Sequence, residues 1–194
     1  TGMLRLGKNA VGALLGAGWY KGKMGFLGLR NNYGDRTAFL CQMEITYRDG
    51  TRQIVSTDGS WKGSDSPVLF SEIYDGETYD ARLEQDGWCL PGFDCGGWRP
   101  VSEVPYDFSV LTAQPGCRVR ECKSFPAQRV FRTPKGETVL DFGQNLTGWV
   151  HFRVRGKAGD RVVLNHFEVL DRDGNAYFAN LRPTLRFRGS GTCA

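Results

Sequence analysis

At 194 residues the chain can hold one large domain or two small ones, and 40% apolar with 24% charged residues excludes a disordered polypeptide. No apolar run is long enough for a bilayer-spanning helix. The net charge of +4 conceals a division, because residues 1–113 carry 11 basic and 14 acidic side chains whereas residues 114–194 carry 14 and 7.

In chain order, Asn9 to Leu15 is a short apolar run closed by Gly16-Ala17-Gly18, which reads as a buried strand. Trp19-Tyr20-Lys21-Gly22-Lys23 reads as a glycine-flanked loop, and Asn31-Asn32-Tyr33-Gly34-Asp35 as a turn. From Thr37 to Arg48 the pattern alternates: Phe39, Cys41, Met43, Ile45 and Tyr47 share one face, and Gln42, Glu44, Thr46 and Arg48 the other. Asp49-Gly50 then turns the chain into Thr51–Thr57, which predicts a hairpin. Trp61 lies in a loop. Leu69 opens a strand that breaks at Asp75-Gly76, Gly87 to Pro100 is loop-rich, and Asp107 to Ala113 reads as strand again. Gln114-Pro115-Gly116 is the best boundary, since composition and charge sign change there. Beyond it, strands are expected at Arg118–Glu121, Arg129–Thr133, Thr138–Phe142, Val150–Arg155 and Arg161–Leu170, with turns at Pro134-Lys135-Gly136 and Asp171–Asn175. No long window has a helical apolar period, so the chain is predicted to be all-β and sandwich-like.

The basic half does not point to nucleic acid. Its arginines alternate with apolar residues, as in Arg153-Val154-Arg155, which is the wet face of a half-buried strand. The six cysteines form no CxxC pair, and only His151 and His166 could complete a metal set, so zinc-ligand spacing is absent. Cys89/Cys95 and Cys117/Cys122 have spacings open to bridging in an oxidising compartment.

The stretch richest in chemistry is Leu69 to Arg82. Between Ser71 and Asp107 nine acids face only Arg82 and Arg99, interleaved with Tyr74, Tyr79, Trp88 and Trp98. Carboxylates, hydroxyls and flat aromatic faces are the materials of a carbohydrate or calcium site, but the stretch by itself favours a polar strand-and-loop surface with internal Asp–Arg pairing. Glu72, Asp75, Glu77 and Asp80 are the candidate acceptors, with Glu72 and Asp75 as metal ligands. Arg82 would orient them, and Trp19, Trp61 or Trp88 would supply a stacking face. The competing reading makes Asp80–Arg82 a pair that pins the strand. Asp141, Gln144, Asn145 and Trp149 read as a structural turn with a packed indole. Asp171-Arg172-Asp173-Gly174-Asn175 spaces oxygen ligands but lacks the rest of an EF-hand loop, so it reads as a β-turn. A glycosidase needs two carboxylates roughly 5–10 Å apart across a sugar, and no spacing here selects such a pair. A Gly-x-Ser-x-Gly elbow is also absent.

Several segments together resemble the non-catalytic N-terminal portion of bacterial α-L-rhamnosidases. They are Gly7-Lys8-Asn9, Gly18–Gly22, Thr57–Trp61, Ile73–Arg82, Trp98–Val101, Asp141–Trp149, Glu168–Asp171 and Asn180–Arg182. The resemblance implies a jelly-roll-like β-sandwich over residues 1–113, followed over 114–194 by the start of a second, concanavalin-like β-sandwich. It also implies a first sandwich able to bind L-rhamnose or rhamnosylated glycans, in some relatives with calcium and with no other cofactor. Inverting hydrolysis of terminal α-L-rhamnosides would belong to a helical α/α toroid of the same parent chain, whose acid-rich motifs have no counterpart here. The family pattern is already in mid-domain at Gly7-Lys8-Asn9 and is left at Phe187–Ala194. A fragment lacking its opening strands, and catalytic residues of its own, is therefore expected.

Overall fold

The structure is a computed structural model that describes residues 2–25, 28–181 and 191–192. Arg182, Arg186, Arg188 and Cys193 fall outside the described residues, as does most of Phe187–Ala194.

The chain is all-β, and among the described residues it has one helical turn, α1 (Gly18–Lys21), and two short 3-10 turns, Ala81–Leu83 and Phe108–Val110. Its strands are β1 (Gln42–Thr46), β2 (Arg52–Ser56), β3 (Lys62–Gly63), β4 (Val68–Glu72), β5 (Gly76–Tyr79) and β6 (Arg99–Pro100). They continue as β7 (Arg129–Arg132), β8 (Thr138–Asp141), β9 (Arg161–Val162), β10 (Val169–Leu170), β11 (Ala176–Tyr177) and β12 (Gly191–Thr192). All pair antiparallel and two by two: β1–β2, β3–β6, β4–β5, β7–β8, β9–β12 and β10–β11. These are the paired-strand units of a sandwich rather than complete sheets.

Three hairpins use one turn. In β1–β2 the Gly50 N–H donates to the Tyr47 carbonyl at 3.0 Å and the Tyr47 N–H to the Thr51 carbonyl at 2.9 Å. Gly50 has a φ of 85°, the left-handed residue that ends a three-residue hairpin loop in a bulge. Thr133–Glu137 and Asp171–Asn175 repeat both bonds, with Gly136 and Gly174 in the same place. The β1 alternation is as expected: Met43 and Ile45 are half-buried, and Gln42, Glu44 and Thr46 are exposed. The turn predicted at Asp171–Asn175 is present too, with the Asp171 carboxylate accepting from the backbone N–H groups of Asp173 and Asn175.

Other expectations are corrected. Asn9–Leu15 has no ladder partner among the described residues and leaves Val11, Leu14 and Leu15 exposed, so apolar content alone did not make it a buried strand. Trp19-Tyr20-Lys21 forms α1 instead of a loop, with Tyr20 stacked on Tyr33. Asp107–Ala113 is not a strand, because the Asp107 side chain accepts the Ser109 N–H at 2.9 Å and caps a 3-10 turn. Arg118–Glu121 and Val150–Arg155 carry no strand, and of Arg161–Leu170 only the two ends pair.

The chain divides into two compact units, one of Thr1–Pro105, Gly156–Val163 and Phe187–Ala194, the other of Tyr106–Arg155 and Leu164–Arg186. In the second, two hairpin turns are bolted together: the Lys135 N–H donates to the Asn175 side chain at 3.0 Å and the Ala176 N–H to Glu137 Oε2 at 3.2 Å. Thr133, Asn175 and Val139 are buried around this contact. Val139 is the one buried hydrophobic residue among those described, so polar contacts hold the centre of this unit. The accessible surface is 16469 Å², against about 9,200 Å² for a folded monomer of this mass.

Candidate functional site

The acids of the Leu69–Arg82 stretch lie on the β4–β5 hairpin, where Glu72 pairs with Gly76 across a three-residue turn. Glu72 ends β4 with its side chain only 4% exposed, and a buried carboxylate requires a counter-charge. The segment from α1 to Arg30 brings it, turning back on itself through a Met24–Leu29 bridge. Arg30 Nη1 donates to Glu72 Oε1 and Arg30 Nη2 to Asp75 Oδ2 at 2.9 Å. Lys23 Nζ lies 2.8 Å from Asp75 Oδ2, and the Lys23 N–H donates to Glu72 Oε2 at 3.4 Å. Gly22 lies close enough to Glu72 that a Cβ there would sit 2.3 Å from the Gly18 carbonyl and 3.3 Å from the Glu72 carboxyl carbon. Two carboxylates and two cations thus close a neutral four-membered cluster.

This arrangement decides what the acids can do chemically. Calcium takes six to eight oxygens. Here the Glu72 and Asp75 oxygens face a guanidinium and an ammonium, and no three His, Cys, Asp or Glu side chains group around a common point among the described residues. Glu77 stands exposed on β5, away from that cluster's bonds. Asp80 and Arg82 pair with each other, Arg82 donating Nε to Asp80 Oδ1 at 2.8 Å and Nη2 to Oδ2 at 2.6 Å. Asp80 also accepts the Arg82 N–H and so caps the Ala81–Leu83 turn, which is the strand-pinning role. Next to it the Tyr79 hydroxyl donates to Glu84 Oε1 at 2.5 Å, and burial, followed by that carboxylate, pushes the phenol up to about 12.

The Arg82 hydrogen bonds hold the Asp80 carboxyl below its model-compound range. A lowered folded-state value contributes stability above the unfolded carboxylate pKa, about 3.9, and that contribution is lost as pH falls through the folded value. Protection of the Arg82 and Leu83 amides, taken relative to the exchange rate of an unstructured peptide at the same pH, is therefore expected to fall below about pH 4. Asp80→Asn should remove this acid dependence, and an unchanged pH profile in Asp80→Asn would refute the link.

The three candidate tryptophans are not gathered. Trp88 stacks on Trp98 with centroids 6.5 Å apart, and Gly12 passes so close that a Cβ would lie 2.4 Å from the Trp88 ring. Trp61 tilts against Phe39 and donates its indole N–H to the Ser56 carbonyl at 3.2 Å. Trp19, on α1, keeps an exposed face. Asp141 makes the expected turn by accepting the Gly143 N–H at 2.8 Å, but Trp149 is 64% exposed, so its indole is not the packed one anticipated.

A hollow of about 380 Å³ opens beside Glu72, with Leu15, Val68 and Phe70 among its apolar lining and Lys21, Asn31 and Ser71 among its polar lining. The stretch-by-stretch reading missed Lys21, Lys23 and Arg30. The available signal was charge: the first 34 residues carry five cations and no acid, complementary to the acidic stretch that follows.

Compared with known proteins, residues 1–123 match the family model for the α-L-rhamnosidase N-terminal domain, and residues 131–189 match that for the bacterial α-L-rhamnosidase concanavalin-like domain. The chain is 42% identical to an α-L-rhamnosidase of Streptomyces avermitilis over 98% of its own length and 19% of that protein. It is 35% identical to one of an Alteromonas species, over 90% of the chain and 19% of that protein. It superposes on the crystal structure of the Aspergillus terreus α-L-rhamnosidase with a TM-score of 0.81 and 39% identity, covering 91% of this chain and 20% of that one. On the Streptomyces avermitilis enzyme in complex with L-rhamnose, the TM-score is 0.80 at 40% identity, covering 92% and 17%. The chain spans about a fifth of the length of the curated relatives it matches.

Proposed function

The chain belongs to the α-L-rhamnosidase family, and we propose that it forms a non-catalytic accessory β-sandwich region of such an enzyme. Its role is to pack against a catalytic α/α toroid in the same polypeptide, which hydrolyses terminal α-L-rhamnosides with inversion. We place the division between a first sandwich and the start of a second, concanavalin-like one at Gln114-Pro115-Gly116, where the charge changes sign.

The state of the carboxylates carries this reading. Inverting hydrolysis needs a protonated acid and a free base facing each other across the sugar. The hollow beside β4 is lined by one carboxylate, Glu72, and that one is held by Arg30. The chain by itself is therefore expected to release no nitrophenol from a nitrophenyl α-L-rhamnoside, while the full-length polypeptide does. Turnover by the 194 residues alone would overturn the assignment.

A second reading, that the first unit also holds a saccharide, is favoured by the same hollow. Its lining includes Leu15, Val68 and Phe70 for the apolar face of a sugar and Asn31, Thr37 and Ser71 for its hydroxyls. No calcium is needed for that contact, since the two candidate ligands are already matched by Arg30 and Lys23. Titration with L-rhamnose, with and without calcium, separates this reading from a purely scaffolding role.

A further inference from the structure

The charges around the hollow do not balance. Glu72 and Asp75 are matched by Arg30 and Lys23, one for one. Lys21 remains. It is half-buried, lines the hollow, and has no ion-pair or side-chain hydrogen-bond partner among the described residues. Its carbonyl accepts the Asn31 N–H at 3.0 Å, which sets Asn31 beside it. Asn31, Thr37 and Ser71 line the same hollow, and their side chains likewise make no hydrogen bond within the described residues. One surplus cation and three uncommitted polar groups therefore surround a space already walled by apolar side chains. An ammonium without a counter-charge at the edge of such a hollow attracts an incoming anion.

We propose that this hollow takes a saccharide bearing a single negative charge, a carboxylate or a sulfate ester, and that Lys21 is the residue that selects it. The inference rests on the saccharide-holding reading above and adds the class of sugar. A single charge is the match because the lining has a surplus of one. Asn31, Thr37 and Ser71 supply hydrogen bonds to the sugar or to the anionic oxygens, and Leu15, Val68 and Phe70 supply the apolar wall.

The test is calorimetric titration of the full-length polypeptide at low ionic strength with four probes: methyl β-D-glucuronoside, its methyl ester, glucose 6-sulfate and methyl α-L-rhamnoside. An anionic probe is expected to bind about ten-fold or more tightly than the two neutral ones, as one charge-assisted contact allows. Lys21→Gln should abolish that difference, Lys21→Arg should keep it, and added salt should weaken the anionic probe selectively. Which anionic probe binds assigns carboxylate or sulfate. Equal affinity for the acid and its ester, or an anion preference untouched in Lys21→Gln, overturns the inference; rhamnoside binding that Ser71→Ala weakens would then leave the saccharide reading intact, and rhamnoside binding that Ser71→Ala leaves unchanged would overturn both. Absence of binding by all four probes overturns both.

Discussion

Arg30→Ala is expected to speed amide exchange across β4 and β5 by about a hundred-fold, which corresponds to about 3 kcal/mol. Removing the guanidinium leaves Glu72, at 4% side-chain exposure, with a single long backbone contact, and leaves Asp75, at 16%, with Lys23 alone. Breaking a buried pair from one side costs about 3–5 kcal/mol because the stranded charge stays desolvated. Arg30 itself is 41% exposed, so water screens part of its attraction and the lower end of that range applies. Lys23→Ala should cost less, since Asp75 keeps Arg30. Arg30→Met with Glu72→Met should recover most of the loss, because a pair replaced by apolar volume leaves no orphan charge. Hydrogen exchange followed by mass spectrometry on the full-length polypeptide reads all three. A change below about three-fold in Arg30→Ala would show that the cluster does not hold the hairpin.

What the sequence discloses here is local. The Tyr47–Thr51 turn was legible because Asp49-Gly50 sits where a three-residue loop needs a left-handed residue, and the flanking alternation sets the faces. Asp80 and Arg82 stand two apart and find each other without help from the fold. Arg30 and Glu72 are separated by 42 residues, and only the folded chain brings them together. The acidic stretch read alone therefore shows only its local partner Arg82, although the counter-charges of Glu72 and Asp75 stand in the preceding basic run. The strands that failed to form failed for a related reason. Asn9–Leu15 and Val150–Arg155 have suitable composition, yet a strand exists only as half of a ladder, and their partners are not among the described residues.

The two sets of site residues also differ. Residue type brought Glu72, Asp75, Trp61 and Trp88 forward, as carboxylates and flat aromatic faces suited to a sugar or a cation. The structure commits each of them internally: the acids to Arg30 and Lys23, Trp88 to Trp98, and Trp61 to Phe39 and Ser56. Lys21, Asn31 and Ser71, which line the hollow and lack such commitments, came from no site motif at all. An uncommitted polar group beside an apolar wall is the more informative mark of a binding surface than an acid whose charge is already matched.

The second large effect is expected for the 194 residues produced alone: no sharp cooperative melt, strong binding of a hydrophobic dye, and self-association. A chain of this mass that folds by itself exposes about 9,200 Å². This one exposes 16469 Å², and the excess of about 7,000 Å² exceeds a typical obligate interface. The side chains involved are those a β-sandwich would bury. Val130 and Leu140, opposite each other on β7 and β8, are 62% and 44% exposed, and Ile54 on β2 is 62% exposed. Two-stranded ladders are marginal in water on their own, and each one here also leaves outer edges open for pairing. Covering those faces with the rest of the polypeptide removes both liabilities at once, so the same residues within the full-length protein should melt cooperatively and leave the dye unbound. A monomeric 194-residue chain with a single sharp transition and no dye binding would show that the faces are closed within the chain, and the packing role proposed for them would fall with that result.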